Sequence, residues 1–260
     1  MLILIAESKT MLASEKDVSP EALEAHSPIF ENIAAEIMVS LEAESVIDIA
    51  ATLKLSGSLA AKIKKMVYEF AFKNTGNQAI EAFTGVVFKS LDFPTLPEEA
   101  KQRCLSQVRI ISSLYGWLRP ADFVKPYRLD FTSRLEEGPS AGKALNMFWR
   151  TNVTKALVKT LQENHFTEIL NLLPADAAKC IDWKLVKHFA KVWKVDFQQI
   201  RESGVMKTSS AEKLKSMRGA LLRQILQEGV VSCSDIMHLS SDKYVCDGTP
   251  QYPDHLHFLC

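Results

Sequence analysis

Leu2 to Ala6 is an unbroken apolar run of strand length, and the polar turn Glu7, Ser8, Lys9 and Thr10 follows it at once. The chain therefore opens on a buried strand. A lysine just past the carboxyl end of such a strand sits where open α/β sheets place ligands, which makes Lys9 a candidate site residue. Pro20 after Ser19 and Pro28 after Ser27 mark two helix starts, each with a capping residue ahead of the proline; the second helix runs to about Ser40. From Ser45 a further helix, VIDIAATLKL, leads into Ser56-Gly57-Ser58, and the next begins at Leu59. Leu59, Ile63, Met66, Val67 and Phe70 form its apolar side, while Lys62, Lys65 and Glu69 lie on another. Two helices across a short glycine turn suggest a helix-hairpin-helix element over about 45–72, whose amides and lysines would hold a DNA phosphate. That motif usually carries a second glycine, so an ordinary helical hairpin is the simpler reading.

After Gly76 the pattern predicts a short helix, a strand near Val86 to Phe88, and a helix opened by Pro97 that runs to Leu118. Ala100, Cys104, Val108, Ile111, Tyr115 and Leu118 form its stripe, with Ile110 and Trp117 on the opposite side. Leu129, Phe131, Ser133 and Leu135 alternate as a half-buried strand. Lys143 to about His165 is a helix, and Thr167 to Leu173 a second buried strand. For residues 180–209 a hairpin, Val192 to Phe197 and Val205 to Thr208 about Glu202-Ser203-Gly204, is expected over one long helix from Trp183 to Ile200. Ala211 to Glu228 is a helix with Leu214, Met217, Leu221, Leu222, Ile225 and Leu226 on its apolar arc, and Arg218 falls inside that arc. An unpaired buried guanidinium would cost several kcal/mol, so Arg218 needs an internal carboxylate or a polar cleft. Gly219 beside it allows close approach. Lys243 to Cys246 and His255 to Leu259 end the chain as two strands around a loop with Pro250 and Pro253. The expected fold is mixed α/β, one large domain over residues 1–260.

Composition changes this picture little. With 47% apolar residues in 260, the chain can bury a core without staples. No apolar run approaches membrane-spanning length, and MLILIA lacks the basic start and cleavage site of a signal peptide, so a cytoplasmic location without membrane contact is expected. Five scattered cysteines, with no Cys-x-x-Cys pair, fit reduced thiols. His255 and His257, with Cys246 or Cys260, offer metal-ligand types, but the spacing matches no standard site and no metal is expected. No Walker loop or G-x-G-x-x-G is present, so no nucleotide cofactor is expected either.

Charge changes it more. The total is zero, 31 basic against 31 acidic, yet residues 1–50 carry 2 basic and 10 acidic while 101–160 carry 11 and 4. Gathered on one side, such a basic middle would be the footprint of a nucleic-acid binder. Its densest part is Arg109 to Asp130, RIISSLYGWLRPADFVKPYRLD, which sets Arg109, Arg119, Lys125 and Arg128 beside Tyr115, Trp117 and Tyr127. Pro120 and Pro126 stiffen this loop. Guanidiniums there suit phosphate oxygens and the rings suit stacking on bases. Singly, each has a structural alternative, such as a pair between Arg128 and Asp130 or Asp122.

LYGWLRPADFVKPYRLDF (Leu114 to Phe131), LNMFW (Leu145 to Trp149), AFTGVVFKSL (Ala82 to Leu91) and the K-x-x-R-G-x-x-x-R of Lys215 to Arg223 together resemble the YaaA peroxide stress protein family. The family's opening ISPAK stands here as IAESK, keeping Lys9. The resemblance implies a cytoplasmic protein of the peroxide response that limits intracellular free iron. It also implies a single α/β fold with a positively charged cleft and binding to duplex or distorted DNA. The residues expected to line that cleft or touch phosphates are Lys9, Lys62, Lys65, Arg109, Tyr115, Arg119, Lys125, Tyr127, Arg128, Lys215, Arg218 and Arg223, in a protein expected to be a monomer. The alternative is an enzyme in the same cleft, lyase-like or glycosylase-like, with Lys9 or Lys215 as nucleophile and Asp130 or Glu136 as general base. A phosphorylated metabolite is the third candidate ligand.

Overall fold

The opening apolar run is a strand, and it lies inside the sheet rather than at its edge. A computed structural model describes residues 1–13, 17–72, 75–200, 206–241, 244–246 and 254–259. Strand β1 (Leu2–Ala6) is buried throughout. Four helices follow: α1 (Pro20–Ala25), α2 (Glu31–Ala43), α3 (Val46–Leu53) and α4 (Gly57–Phe72). Then come β2 (Asn77–Gln78), α5 (Ala79–Ala82), α6 (Val86–Leu91), α7 (Glu98–Gln107), β3 (Val108–Ser112), β4 (Gly116–Leu118) and β5 (Phe123–Val124). The second half holds α8 (Leu145–Glu163), β6 (Glu168–Asn171), α9 (Ala175–Ala178), α10 (Trp183–Val186), β7 (Lys191–Ile200), β8 (Met206–Thr208) and α11 (Ala211–Glu228). It closes with β9 (Ser240–Ser241), β10 (Tyr244–Cys246) and β11 (His255–Leu259).

Among the described residues the main sheet has nine strands, in the order β4-β3-β1-β6-β7-β11-β10-β9 with β8 added to β7. Its centre is parallel, β1 lying between β3 and β6, and β7 between β6 and β11. Its margins are antiparallel. A mixed α/β sheet flanked by helices is what the apolar runs predicted. No helix among the described residues is long and apolar enough to cross a membrane.

The helix expected from Pro97 to Leu118 ends at Gln107, and the rest of that span is β3, a turn and β4. All five residues of β3 are buried and pair in parallel with β1, Ile5 opposite Ile110. The two apolar sides that helical projection assigned to one helix are the two faces of a doubly covered strand. Val86 to Phe88, expected as a strand, is the start of α6. Leu129, Phe131, Ser133 and Leu135 are buried in alternation as expected, yet the segment forms no ladder beyond one bridge, Arg134 to Ala144. The second proline start is also shifted: α2 begins at Glu31, whose carboxylate accepts from the Ser27 hydroxyl.

The hairpin of β7 and β8 replaces the long-helix alternative; its expected turn, Glu202 to Gly204, lies outside the described residues, as do Lys243, Pro250, Pro253 and Cys260. In the hairpin of α3 and α4, Ser45 and Asp48 form a capping box. The left-handed residue at the turn is Lys54, and Gly57 is already the first residue of α4. The glycine turn of a helix-hairpin-helix is therefore not where the sequence pattern put it.

Candidate functional site

β1 has β3 on one side and β6 on the other, so the chain passes from one flank of β1 to the other between them. Such a switch in strand order leaves a crevice outside the carboxyl ends of the strands. A cleft of about 470 Å³ opens there, a volume suited to a small ligand or a single nucleotide. Glu7 to Thr10 line it from the end of β1, Pro174 and Asp176 from the end of β6, and Val86 and Val87 from the start of α6. Asp130 to Thr132 close one wall, and α11 brings Lys215 and Arg218 to another.

Gly219 is what lets α11 come so near. A Cβ there would sit 2.2 Å from the Val87 carbonyl oxygen and 2.7 Å from Ser90 Cβ, so only glycine fits the crossing of α11 over α6. The Ser90 and Ser216 hydroxyls, 3.1 Å apart, add a hydrogen bond across it. Arg218, half-buried inside the apolar arc, is thereby aimed at the cleft. Among the described residues no hydrogen bond or ion pair reaches its guanidinium. Burial lowers its affinity for the proton, opposed through space by Asp196. Lys215 beside it is exposed.

Across the cleft, Lys9 Nζ lies 2.8 Å and Arg128 Nη1 2.6 Å from the same oxygen of Asp130. Burial pushes that carboxyl up, but the hydrogen bonds and charges of Arg128 and Lys9 prevail and hold it below its usual range. On the floor, Glu7 accepts from the Ser113 amide (2.9 Å) and from the Tyr127 hydroxyl, which is itself 2.7 Å from Ser112 Oγ. Burial pushes the Glu7 carboxyl up to about 7 against those hydrogen bonds. Burial, then the adjoining Glu7, raises Tyr127 well above the phenol range. The cleft thus holds an amine beside a carboxylate, a carboxyl poised near neutrality, and an arginine with unused donors.

The remaining members of the expected cation cluster are turned to structural duty. Arg109 is 8% exposed and donates to the carbonyls of Ser106 and Val108. Arg119 Nε is 2.6 Å from buried Asp122 and the same guanidinium reaches the Ser27 carbonyl. Lys125 donates to the Phe70 carbonyl at 2.8 Å and lies over the Phe70 ring. Tyr115 and Tyr127 are buried, ring against ring, and present no face for a base. Arg223 ties α11 to the Leu91 and Asp92 carbonyls. Lys62 and Lys65 are exposed on α4 and do not line the cleft, Lys65 lying 3.8 Å from Glu69, and exposed Glu136 does not line it either. Of the twelve residues expected to line the cleft or touch phosphates, Lys9, Lys215 and Arg218 line it and Arg128 stands beside it through Asp130; the other eight are not in its lining. Glu7 is a site residue that motif and charge pattern do not single out; the signal for it in the sequence is a carboxylate directly after a buried strand.

The whole chain has close kin. The family described as "Peroxide stress protein YaaA" matches residues 1–249. A UPF0246 protein of Albidiferax ferrireducens is 31% identical over 99% of this chain and 97% of its own length. Another from Desulforapulum autotrophicum is 32% identical over 95% of each chain, and one from Parabacteroides distasonis 29% over 88% of each. By the span of that match and the identity of these full-length relatives, the chain belongs to the YaaA peroxide stress protein family.

Proposed function

We propose that this protein binds double-stranded or distorted DNA as part of the response to peroxide, holding a backbone phosphate in the cleft at Lys215 and Arg218. The observation that carries this reading is the Arg218 guanidinium, held in a cleft wall with donors that no described residue accepts. A half-buried arginine in that position favours an anion that completes its hydrogen bonds, and a phosphate oxygen suits its planar fork. Family membership supports the peroxide role. The wider role proposed with it, limiting free iron and oxidative DNA damage, rests on that kinship and on no residue of the cleft. Fluorescence anisotropy with a labelled duplex and a bubble-containing duplex, at low and at physiological salt, tests the reading. Affinity should fall steeply with salt as counterions are released. A salt-independent affinity, or none at low salt, overturns it.

A second reading has an observation of its own. Glu7, with a carboxyl near 7, and Lys9, 2.8 Å from Asp130, pair an acid–base group with an amine and a carboxylate in one cleft. This favours a lyase-like or glycosylase-like step, or turnover of a phosphorylated metabolite. Borohydride trapping on lesion-containing duplex would capture a lysine adduct that Lys9→Ala abolishes, and failure to trap on any lesion removes the lyase form of this reading.

A further inference from the structure

His255 and His257 stand two residues apart on β11, and the two-residue period of a strand turns both imidazoles to one face. β7 runs parallel beside it in a register that sets Asp196 opposite His257 and Lys194 opposite His255. One nitrogen of each imidazole and one carboxylate oxygen of Asp196 lie within 4.8 Å of one another, His255 Nδ1 being 3.6 Å from Asp196 Oδ2. Donors on a tetrahedral ion with bonds of about 2.1 Å are roughly 3.4 Å apart, so small side-chain rotations bring the three together.

A separate observation points to a ligand. His257 Nε2 is buried and has no hydrogen-bond partner among the described residues. Buried polar nitrogens are rarely left so, because an unmet one costs the full desolvation of the group. Leu256 and Phe258, buried on the other face, anchor β11 in the core and hold both imidazoles in register.

We propose that Asp196, His255 and His257 form a binding site for a divalent first-row transition metal, separate from the cleft. Two imidazoles and one carboxylate leave coordination positions open and select borderline ions such as zinc or cobalt over calcium or magnesium. Asp254, with Oδ1 3.9 Å from His255 Nε2, supplies an outer carboxylate. The charges that oppose a bound cation are Lys194 on the same face, Arg218 acting on Asp196 through space, and Lys187, 3.8 Å from Asp254. Cys246, the third ligand considered from the sequence, is not in the group; Asp196 takes that place.

Titration of the full chain, purified without a tag and freed of metal, tests the site with cobalt(II) by visible absorption and with zinc(II) by calorimetry. One ion per chain is expected, with ligand-field bands and no thiolate-to-cobalt charge-transfer band. His257→Gln and Asp196→Asn should each weaken binding roughly tenfold or more while circular dichroism stays that of the wild type, with His255→Gln as the substitute if either fails to fold. Absence of binding, folded variants that bind within about twofold of the wild type, or a thiolate band, would each overturn the proposal.

Discussion

Glu7→Gln isolates the carboxyl on the cleft floor. In the folded protein that group is raised from 4.5 to about 7, chiefly by burial. Raised in this way, the folded state binds the proton more tightly than the unfolded chain. Its contribution to stability is whole below about pH 4.5 and is lost as pH rises through about 7. A shift of about 2.5 units at ~1.4 kcal/mol per unit amounts to ~3 kcal/mol lost by about pH 8. Glutamine cannot ionise, yet its carbonyl still accepts from the Ser113 amide and the Tyr127 hydroxyl. Urea unfolding followed by tryptophan fluorescence at about pH 5 and about pH 8 gives the comparison. The wild type should lose about 2.5 kcal/mol more than the variant between those conditions, with equal m-values. Parallel losses would refute the reasoning, because they would mean that the Glu7 carboxyl meets the same surroundings folded and unfolded. The same ionisation places a negative charge in the cleft, so Glu7→Gln should also bind DNA more tightly than the wild type above about pH 7.

Two other variants separate packing from charge. Gly219→Ala drives a methyl to 2.2 Å from the Val87 carbonyl, and the shift of α11 against α6 should cost about 1–3 kcal/mol, read as a lowered Tm. Lys62→Ala with Lys65→Ala removes exposed charges from α4 and should leave stability within about 0.5 kcal/mol, while a hairpin that touches phosphates would lose close to 2 from the slope of log K against log salt.

The parts of this fold that were legible in the sequence are those that one period decides. Leu2–Ala6 is purely apolar and Ala211–Glu228 is long and strongly periodic, so the pattern decides their type, while Glu168–Asn171 was legible from Ile169 and Leu170 in the largely apolar run to Leu173. Residues 97–118 misled because the last turn of α7 abuts a strand buried on both faces, and a continuous apolar run projects equally well onto a helix. Arg218 was legible as a misfit in its own helix. The fate of Arg109, Arg119 and Lys125 was not, because each partner is a carbonyl or acid set by tertiary contact: Val108, Asp122, Phe70. The composition of the loop suits Tyr127 to stacking, yet its hydroxyl donates to Glu7 across 120 residues of sequence. Asp196, brought opposite His257 by the parallel register of β7 and β11, was likewise invisible to spacing along one strand.

The most direct test of the cleft as the seat of DNA binding is the affinity of Lys215→Ala, Arg218→Ala for a labelled duplex across a salt series, beside the wild type and the Lys62, Lys65 pair. Removal of two phosphate contacts should weaken binding at every salt and reduce the slope of log K against log salt by close to 2, about 0.9 for each contact. A line that superimposes on the wild type, from a variant with unchanged Tm, would contradict the account.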